Sequence, residues 1–309
     1  MRGALVLCVA ITVALTSGVA WAGTATVGVS VATLWKAPGI ARPLDAPALA
    51  SPADPAAWSR NLATTDLRLW LDSHVQTQAL YGEPVAVLAR RGSWVKIAVT
   101  DQPDPQNAHG YPGWVPARQL VFRPPAGSAV AVIVTAPTVW LTGGSGRRHV
   151  QLSFATRLPL VREQGASVVV RTATGGTGRL PRSAVRVVDA PLRPSGAQIV
   201  ATIKRFLGVH YLWGGLSAWG FDCSGIIWSA YRSFGVTIPR DADPQFRAAR
   251  PVSTSTLRPG DLLFYGTRSY VHHDAVYAGG GKMLEAPDSA HRVRLVPMRW
   301  GELVGAGRF

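Results

Sequence analysis

Cys223 carries the sharpest chemical signal in the chain. It stands in Phe221-Asp222-Cys223-Ser224-Gly225, directly ahead of apolar positions at Ile226, Ile227, Ala230, Tyr231 and Phe234, with Gly235 as a stop. That spacing predicts a helix from Cys223 to Phe234, capped by Asp222 or a neighbour. A thiol in a first helical turn lies where unpaired N–H groups and the helix dipole favour an anion. It is therefore expected to be acidified toward thiolate. A cysteine can instead be a small buried apolar residue, but flanks of Asp, Ser and Gly give it no apolar reason to be here. Residue type and position point to a sulfur nucleophile.

A nucleophile needs a base, and His272 and His273 open a run that continues Asp274-Ala275-Val276-Tyr277. Alternation along a strand puts His272 and Asp274 on one face and His273 on the other, so only one histidine can face the thiol. Alternation does not say which. After the turn Gly279-Gly280-Gly281, the next apolar run ends at Glu285. If the turn makes a hairpin, Glu285 lies beside His273 and accepts its second N–H, the job of a third catalytic group. An ordinary surface glutamate is the plainer reading of that residue. Zinc chemistry is disfavoured, because the lone cysteine of this region belongs to no CxxC or HExxH spacing.

The elements that must hold these residues divide the chain. Residues 1–22 read as a signal peptide: Arg2, an apolar stretch from Ala4 to Val19, then Ala20-Trp21-Ala22 as a cleavage signature. Residues 23–63 hold several prolines and read as an extended arm, with Trp35 and Trp58 as anchors. Residues 64–124 and 126–189 read as two all-β units of one design. Leu88 to Ile97 aligns with Val161 to Val170 around Gly92 and Gly165, and Gly113-Trp-Val-Pro116 aligns with Gly178-Arg-Leu-Pro181. Two copies of one unit imply two small barrels, and a single larger β-sandwich is the alternative. Residues 190–309 begin with a linker and two helical patterns. Strand-like runs follow at 262–265, 272–278, 282–286 and 292–296, which makes this domain α+β.

Composition bounds the partners. The 309 residues carry 32 Lys+Arg against 17 Asp+Glu, a net charge of +15, with 32 glycines and 23 prolines suited to short strands and turns. The surplus suits an anionic setting such as a cell wall. No run exceeds two adjacent arginines, so the basicity is diffuse and a nucleic-acid partner is not expected. Two cysteines exclude a disulfide framework.

The motifs YLWGG, FDCSG, IPRDADPQ, RPGDLLFYG, HHDAVYAGGGKMLEAP and GAGRF, in that order over about 198–309, resemble the NlpC/p60 family of cell-wall cysteine peptidases. The two β units resemble bacterial SH3-like domains. The resemblance implies a papain-like α+β catalytic domain behind two small SH3-like barrels, with no cofactor and no metal. It makes Cys223 the nucleophile, selects His273 over His272 as the base, and lands the third residue on Glu285. Asp274 departs from the family, which has an apolar residue there. It either pairs with His272 or disturbs the base.

ATLW, RPLD, TQALYGE and GYPGWVP in order narrow the resemblance to the SH3-containing γ-D-glutamyl-L-diamino-acid endopeptidases. That group cuts wall peptides whose L-Ala carries a free amine. By this resemblance Tyr211, Trp213, Asp222 and Ser224 line the site, Arg240 and Asp241 face the L-Ala-D-Glu end, and Glu83 and Tyr111 reach the amine. The plainer readings are turn chemistry for Glu83 and a barrel-core aromatic for Tyr111. The expected protein is a secreted cysteine endopeptidase of peptidoglycan stem peptides, in the periplasm or cell wall, with no membrane span after cleavage. The rivals are a non-catalytic wall-binding protein and a thiol acyltransferase or amidase on the same fold.

Overall fold

The computed structural model describes residues 23–122, 127–144 and 146–309, so the signal-peptide reading falls outside the described residues. Seven antiparallel strands build the first unit: Gly23–Val27, Val31–Trp35, Val75–Leu80, Pro84–Arg91, Trp94–Val99, Tyr111–Pro116 and Leu120–Val121. Numbered along the chain, their spatial order is 3-2-6-5-4-1-7. The second unit runs Ala131–Val134, Thr138–Thr142, Arg148–Ser153, Arg157–Gln164, Ser167–Arg171, Thr177–Pro181 and Val185–Val188, and repeats that order.

The aligned glycines explain part of the repetition. Gly92 and Gly165 each open a two-residue hairpin with φ of 58° and 55°, the left-handed backbone that a primed turn requires and glycine adopts without steric cost. In both units the following Pro116 or Pro181 leads into a single 3₁₀ turn, Ala117–Gln119 and Arg182–Ala184.

Residues 23–63 are not an extended arm. Their first two segments are strands of the first barrel, because Ala25, Val27, Ala32 and Leu34 alternate into its core. Short helices at Ala46–Leu49, Pro55–Asn61 and Thr65–Leu69 then fill the excursion before the third strand. Trp35 and Trp58 do anchor it, buried with ring centroids 6.3 Å apart. The Trp58 indole N–H donates to Asp45 Oδ1 at 2.8 Å.

In the last domain, Ser195 and Gln198 form a reciprocal capping box for the helix Gly196–Lys204. The cysteine helix spans Cys223–Arg232 and a shorter helix spans Ala242–Ala248. Six antiparallel strands follow, with the spatial order Arg250–Val252, Leu303–Arg308, Leu262–Gly266, Val271–Gly279, Lys282–Glu285 and Arg294–Pro297. Ile199, Ile203 and Ile227 pack on the sheet face of Leu262, Phe264, Val276 and Leu284. Leu263, Tyr265, Ala275 and Met283 form a second cluster on the other face. The domain is α+β.

The third strand of the first barrel runs along the seam with this domain. Val75 O accepts from the Trp213 indole at 3.0 Å, Gln78 Oε1 from Leu216 N at 3.1 Å, and Thr77 Oγ1 from Arg240 Nε at 3.0 Å. The second barrel joins through Ser153 Oγ, which accepts from Ala218 N at 2.9 Å. Among the described residues no helix is long and apolar enough to cross a membrane.

Candidate active site

Asp222 adopts extended backbone at the N-cap, and its Oδ1 accepts the Gly225 N–H at 2.6 Å. This starts the helix at Cys223, which is half-buried there. The expected acidification does not follow. Burial, then the carboxyls of Asp274 and Asp222, push the Cys223 thiol well above its ordinary value, and hydrogen bonds from the Asp274 and Ser224 backbone N–H groups only partly offset them. Low-dielectric surroundings and two nearby carboxyls outweigh a helix terminus.

The Asp274 N–H at the sulfur places Cys223 against the strand Val271–Gly279, next to His273. His272 is exposed and His273 is buried. His273 Nε2 bonds Glu285 Oε2 at 2.9 Å, and its Nδ1 has no hydrogen-bond partner. The free ring nitrogen is therefore Nδ1.

Glu285 reaches His273 because the glycine turn does make a hairpin. Gly279, Gly280 and Gly281 all have positive φ, and Val276 pairs with Leu284. That register sends the Glu285 side chain diagonally to His273. Arg294 Nε and Arg299 Nη1 both donate to Glu285 Oε1 at 2.9 Å, and Arg299 Nη2 donates to Oε2 at 2.9 Å. Burial alone would raise this carboxyl, but the bonds from His273 and Arg299 prevail and hold it far below the usual carboxylate range. His273 thus leans on a fixed anion.

Arg240 is fully buried and its fork is already engaged. Nη2 and Nη1 bind Asp222 at 2.6 and 3.1 Å, Nη1 also binds Ser224 Oγ at 3.0 Å, and Nε binds Thr77. It does not present a free fork to a substrate carboxylate. It ties the N-cap of the cysteine helix to the first barrel.

Tyr111 of the first barrel donates its hydroxyl to Asp241 Oδ2 at 2.8 Å. Burial, with Arg240 and Tyr111 pulling the other way, raises the Asp241 carboxyl, and burial and Asp241 push the Tyr111 phenol far up. Tyr211 is buried, and burial and the Cys223 charge keep it a neutral phenol. Trp213 stays 36% exposed at the seam, so its ring remains available to a ligand.

Glu83 lies elsewhere. It is fully buried, accepts from Leu80 N at 3.1 Å and pairs with Arg232 at 2.9 Å. Arg232 ends the cysteine helix, nine residues and ~13 Å of helix rise from Cys223. A carboxylate that the first barrel does bring within electrostatic reach of Asp222 and Tyr211 is Asp72, in the 3₁₀ segment Trp70–Ser73. Ser289 Oγ donates to it at 3.4 Å. Burial raises it to about 6, and the carboxylates of Asp222 and Asp288 add to that rise. Its charge acts on Tyr211 as well. No motif marks Asp72, and its only sequence sign is an acidic residue just ahead of the third strand. Among the described residues no cluster of three or more His, Cys, Asp or Glu could hold a metal ion.

A cysteine at a helix start, set against a histidine–carboxylate pair on an antiparallel sheet behind two SH3-like barrels, defines a papain-like cysteine peptidase. The chain belongs to the NlpC/P60 family. Residues 208–302 match the NlpC/P60 family itself, 134–187 the YKFC SH3b2 domain, and 71–120 the bacterial dipeptidyl-peptidase Sh3 domain. The chain is 37% identical to the γ-D-glutamyl-L-lysine dipeptidyl-peptidase of Bacillus cereus, over 92% of this chain and 90% of that one. The enzyme of the same name from Bacillus subtilis is 36% identical, over 87% of this chain and 92% of that one. The crystal structure of an NlpC/P60 family protein from Bacillus cereus superposes with a TM-score of 0.86 at 36% identity, covering 93% of this chain and 99% of that one.

Proposed function

We propose that this protein is an exported cysteine endopeptidase that cuts the γ-D-glutamyl–diamino-acid bond of peptidoglycan stem peptides bearing a free N-terminal L-Ala. His273 Nδ1 takes the thiol proton, and Cys223 sulfur attacks the γ-carbonyl. Its backbone N–H, at the helix start where no intrahelical acceptor exists, and the Tyr211 hydroxyl stabilise the oxyanion. His273 then protonates the leaving amine, and water hydrolyses the thioester with His273 again as base. Glu285 accepts the hydrogen bond from Nε2–H throughout and fixes the tautomer.

The observation that carries the reading is the acidic wall between the first barrel and the peptidase domain. Asp72 stands near Tyr211 and Asp222, while Tyr111 binds Asp241. An ammonium entering there meets the carboxyls of Asp72, Asp222 and Asp241, of which Arg240 pairs with the last two and Lys36 acts on the first. An N-acylated L-Ala brings no ammonium, and its glycan collides with the barrel. The names of the two Bacillus relatives support the bond specificity, and the apolar segment ahead of Ala20-Trp21-Ala22 supports export.

The test compares L-Ala-γ-D-Glu-L-diamino-acid peptides with their N-acetylated forms. The reading expects kcat/KM at least about a hundredfold higher for the free amine, with about 10⁴-fold the scale on which a site built to hydrogen-bond a substrate group rejects an analogue lacking it. Equal values would overturn it.

A further inference from the structure

Asp274 occupies a position the chemistry above does not use. It follows His273 on the strand but points to the opposite sheet face, beneath the first turn of the cysteine helix. Its side chain is fully buried, and neither carboxyl oxygen has a conventional hydrogen-bond partner. His272 is exposed, and Asp274 does not pair with it. The polar side chain it faces is the Cys223 thiol. A buried carboxylate with no partner is costly, so the group stays neutral instead.

The remaining charges around it fit that state. Asp222 from the helix cap and Asp241 from the following segment oppose its ionisation, while the Cys223 S–H and Arg240 favour it, Arg240 being held by Asp222, and burial outweighs both. Tyr211 faces the sulfur as a neutral phenol. Burial and Asp222 together raise Asp274 to about 8. Near neutral pH it is an O–H donor beside a sulfur atom.

We propose that Asp274 is a second proton-bearing group of the active site, a carboxylic acid whose O–H donates a hydrogen bond to the Cys223 thiolate. When His273 Nδ1 removes the thiol proton, the anion left on sulfur gains the Asp274 O–H and the Asp274 backbone N–H as donors. Asp274 keeps its proton through the step and the charge stays on sulfur, so no further acceptor is needed. The proposal rests on Cys223 being the nucleophile. It also explains how a thiol set among carboxyls remains usable: one of them is a donor until it ionises, after which it repels the anion.

The test is the pH dependence of Cys223 alkylation by iodoacetamide, located by peptide mass spectrometry, in the intact wild type, Asp274→Asn and Asp274→Val. In the wild type the rate should rise with pH and then flatten or fall above about 8 as the donor is lost. Asp274→Asn keeps an N–H donor without a charge, so its rate should keep rising to pH 10. Its kcat at pH 7 should lie above that of Asp274→Val, because the amide still donates to the sulfur. Asp274→Val suits the strand but has no donor, and should lose about tenfold or more in kcat with KM little changed, the size of one lost hydrogen bond to a charged group. Identical alkylation profiles in the wild type and Asp274→Asn would overturn the proposal, as would a Val variant with wild-type kcat. A Cys223 that resists alkylation at every pH in all three proteins would overturn the nucleophile assignment and this proposal with it.

Discussion

Tyr111 and Asp241 meet across the seam between the first barrel and the peptidase domain, hydroxyl to carboxyl at 2.8 Å. The two residues are 130 positions apart, so the bond exists only because the domains dock. In the proposed reading this makes the substrate groove composite, with the first barrel forming one side of it. Tyr111→Phe keeps the ring and removes the bond. It should raise KM for free-amine peptides about three- to tenfold, the cost of one ordinary hydrogen bond, with a smaller change in kcat. Steady-state kinetics on a defined tripeptide checks this.

Asp72 and Glu83 should part company in the same assay. Asp72→Asn should raise KM for the free amine and leave the melting temperature within a few degrees. Glu83→Ala should instead unfold the protein earlier, because it removes the fully buried one of the two carboxylates that hold Arg232, leaving Asp101 at 3.1 Å as its counter-charge. Its KM for folded protein should stay near that of the wild type. Thermal melts and kinetics on both variants separate the two roles.

The histidines make a ranked prediction. His273→Ala should lose at least about a hundredfold in kcat/KM, the usual scale of general acid–base catalysis. The exposed His272→Ala should lose little. Glu285→Gln should fall between them, since it still accepts from Nε2–H but no longer balances Arg294 and Arg299.

Stability should fall as pH rises from about 5 to about 8. Glu83 and Asp274 are raised by burial to about 7 and about 8, so over that window the folded state holds protons the unfolded chain has released. Glu285 acts in the opposite sense, adding stability above the ordinary carboxylate range that is lost as pH drops through that range and below it. The melting temperature should be higher at pH 5 than at pH 8, and Asp274→Asn should flatten the upper part of the fall. A wild-type melting temperature that climbs from pH 5 to pH 8 would contradict this balance.

Much of this architecture is legible without coordinates. The paired glycine turns at Gly92 and Gly165, and the prolines at Pro116 and Pro181, disclose two units of one design because such turns have strict local requirements. Glu285 is reachable because a hairpin converts a glycine turn into spatial proximity, whereas alternation leaves His272 and His273 open and the family resemblance makes the choice between them. The first two strands were hidden because a helical excursion of about forty residues separates them from their neighbours, and Gly28 interrupts their alternation. Asp72 and the engagement of Arg240 depend on how the domains dock, which local pattern does not encode. Glu83 misleads for the same reason: its turn lies close in sequence to the docking strand while its side chain points into the buried junction with Arg232. The thiol's raised proton affinity was equally hidden, since burial, its main cause, depends on how distant elements pack over Cys223.

The central claim is that a composite groove admits a free L-Ala amine to the Cys223–His273–Glu285 centre. The most direct measurement is mass spectrometry of the products released from purified sacculi, before and after an N-acetylmuramoyl-L-alanine amidase has freed the stem peptides. The account predicts no release from intact sacculi and release of the L-Ala-γ-D-Glu dipeptide once the amines are exposed, with no dipeptide formed by Cys223→Ala. Efficient solubilisation of untreated sacculi by the protein alone would contradict it.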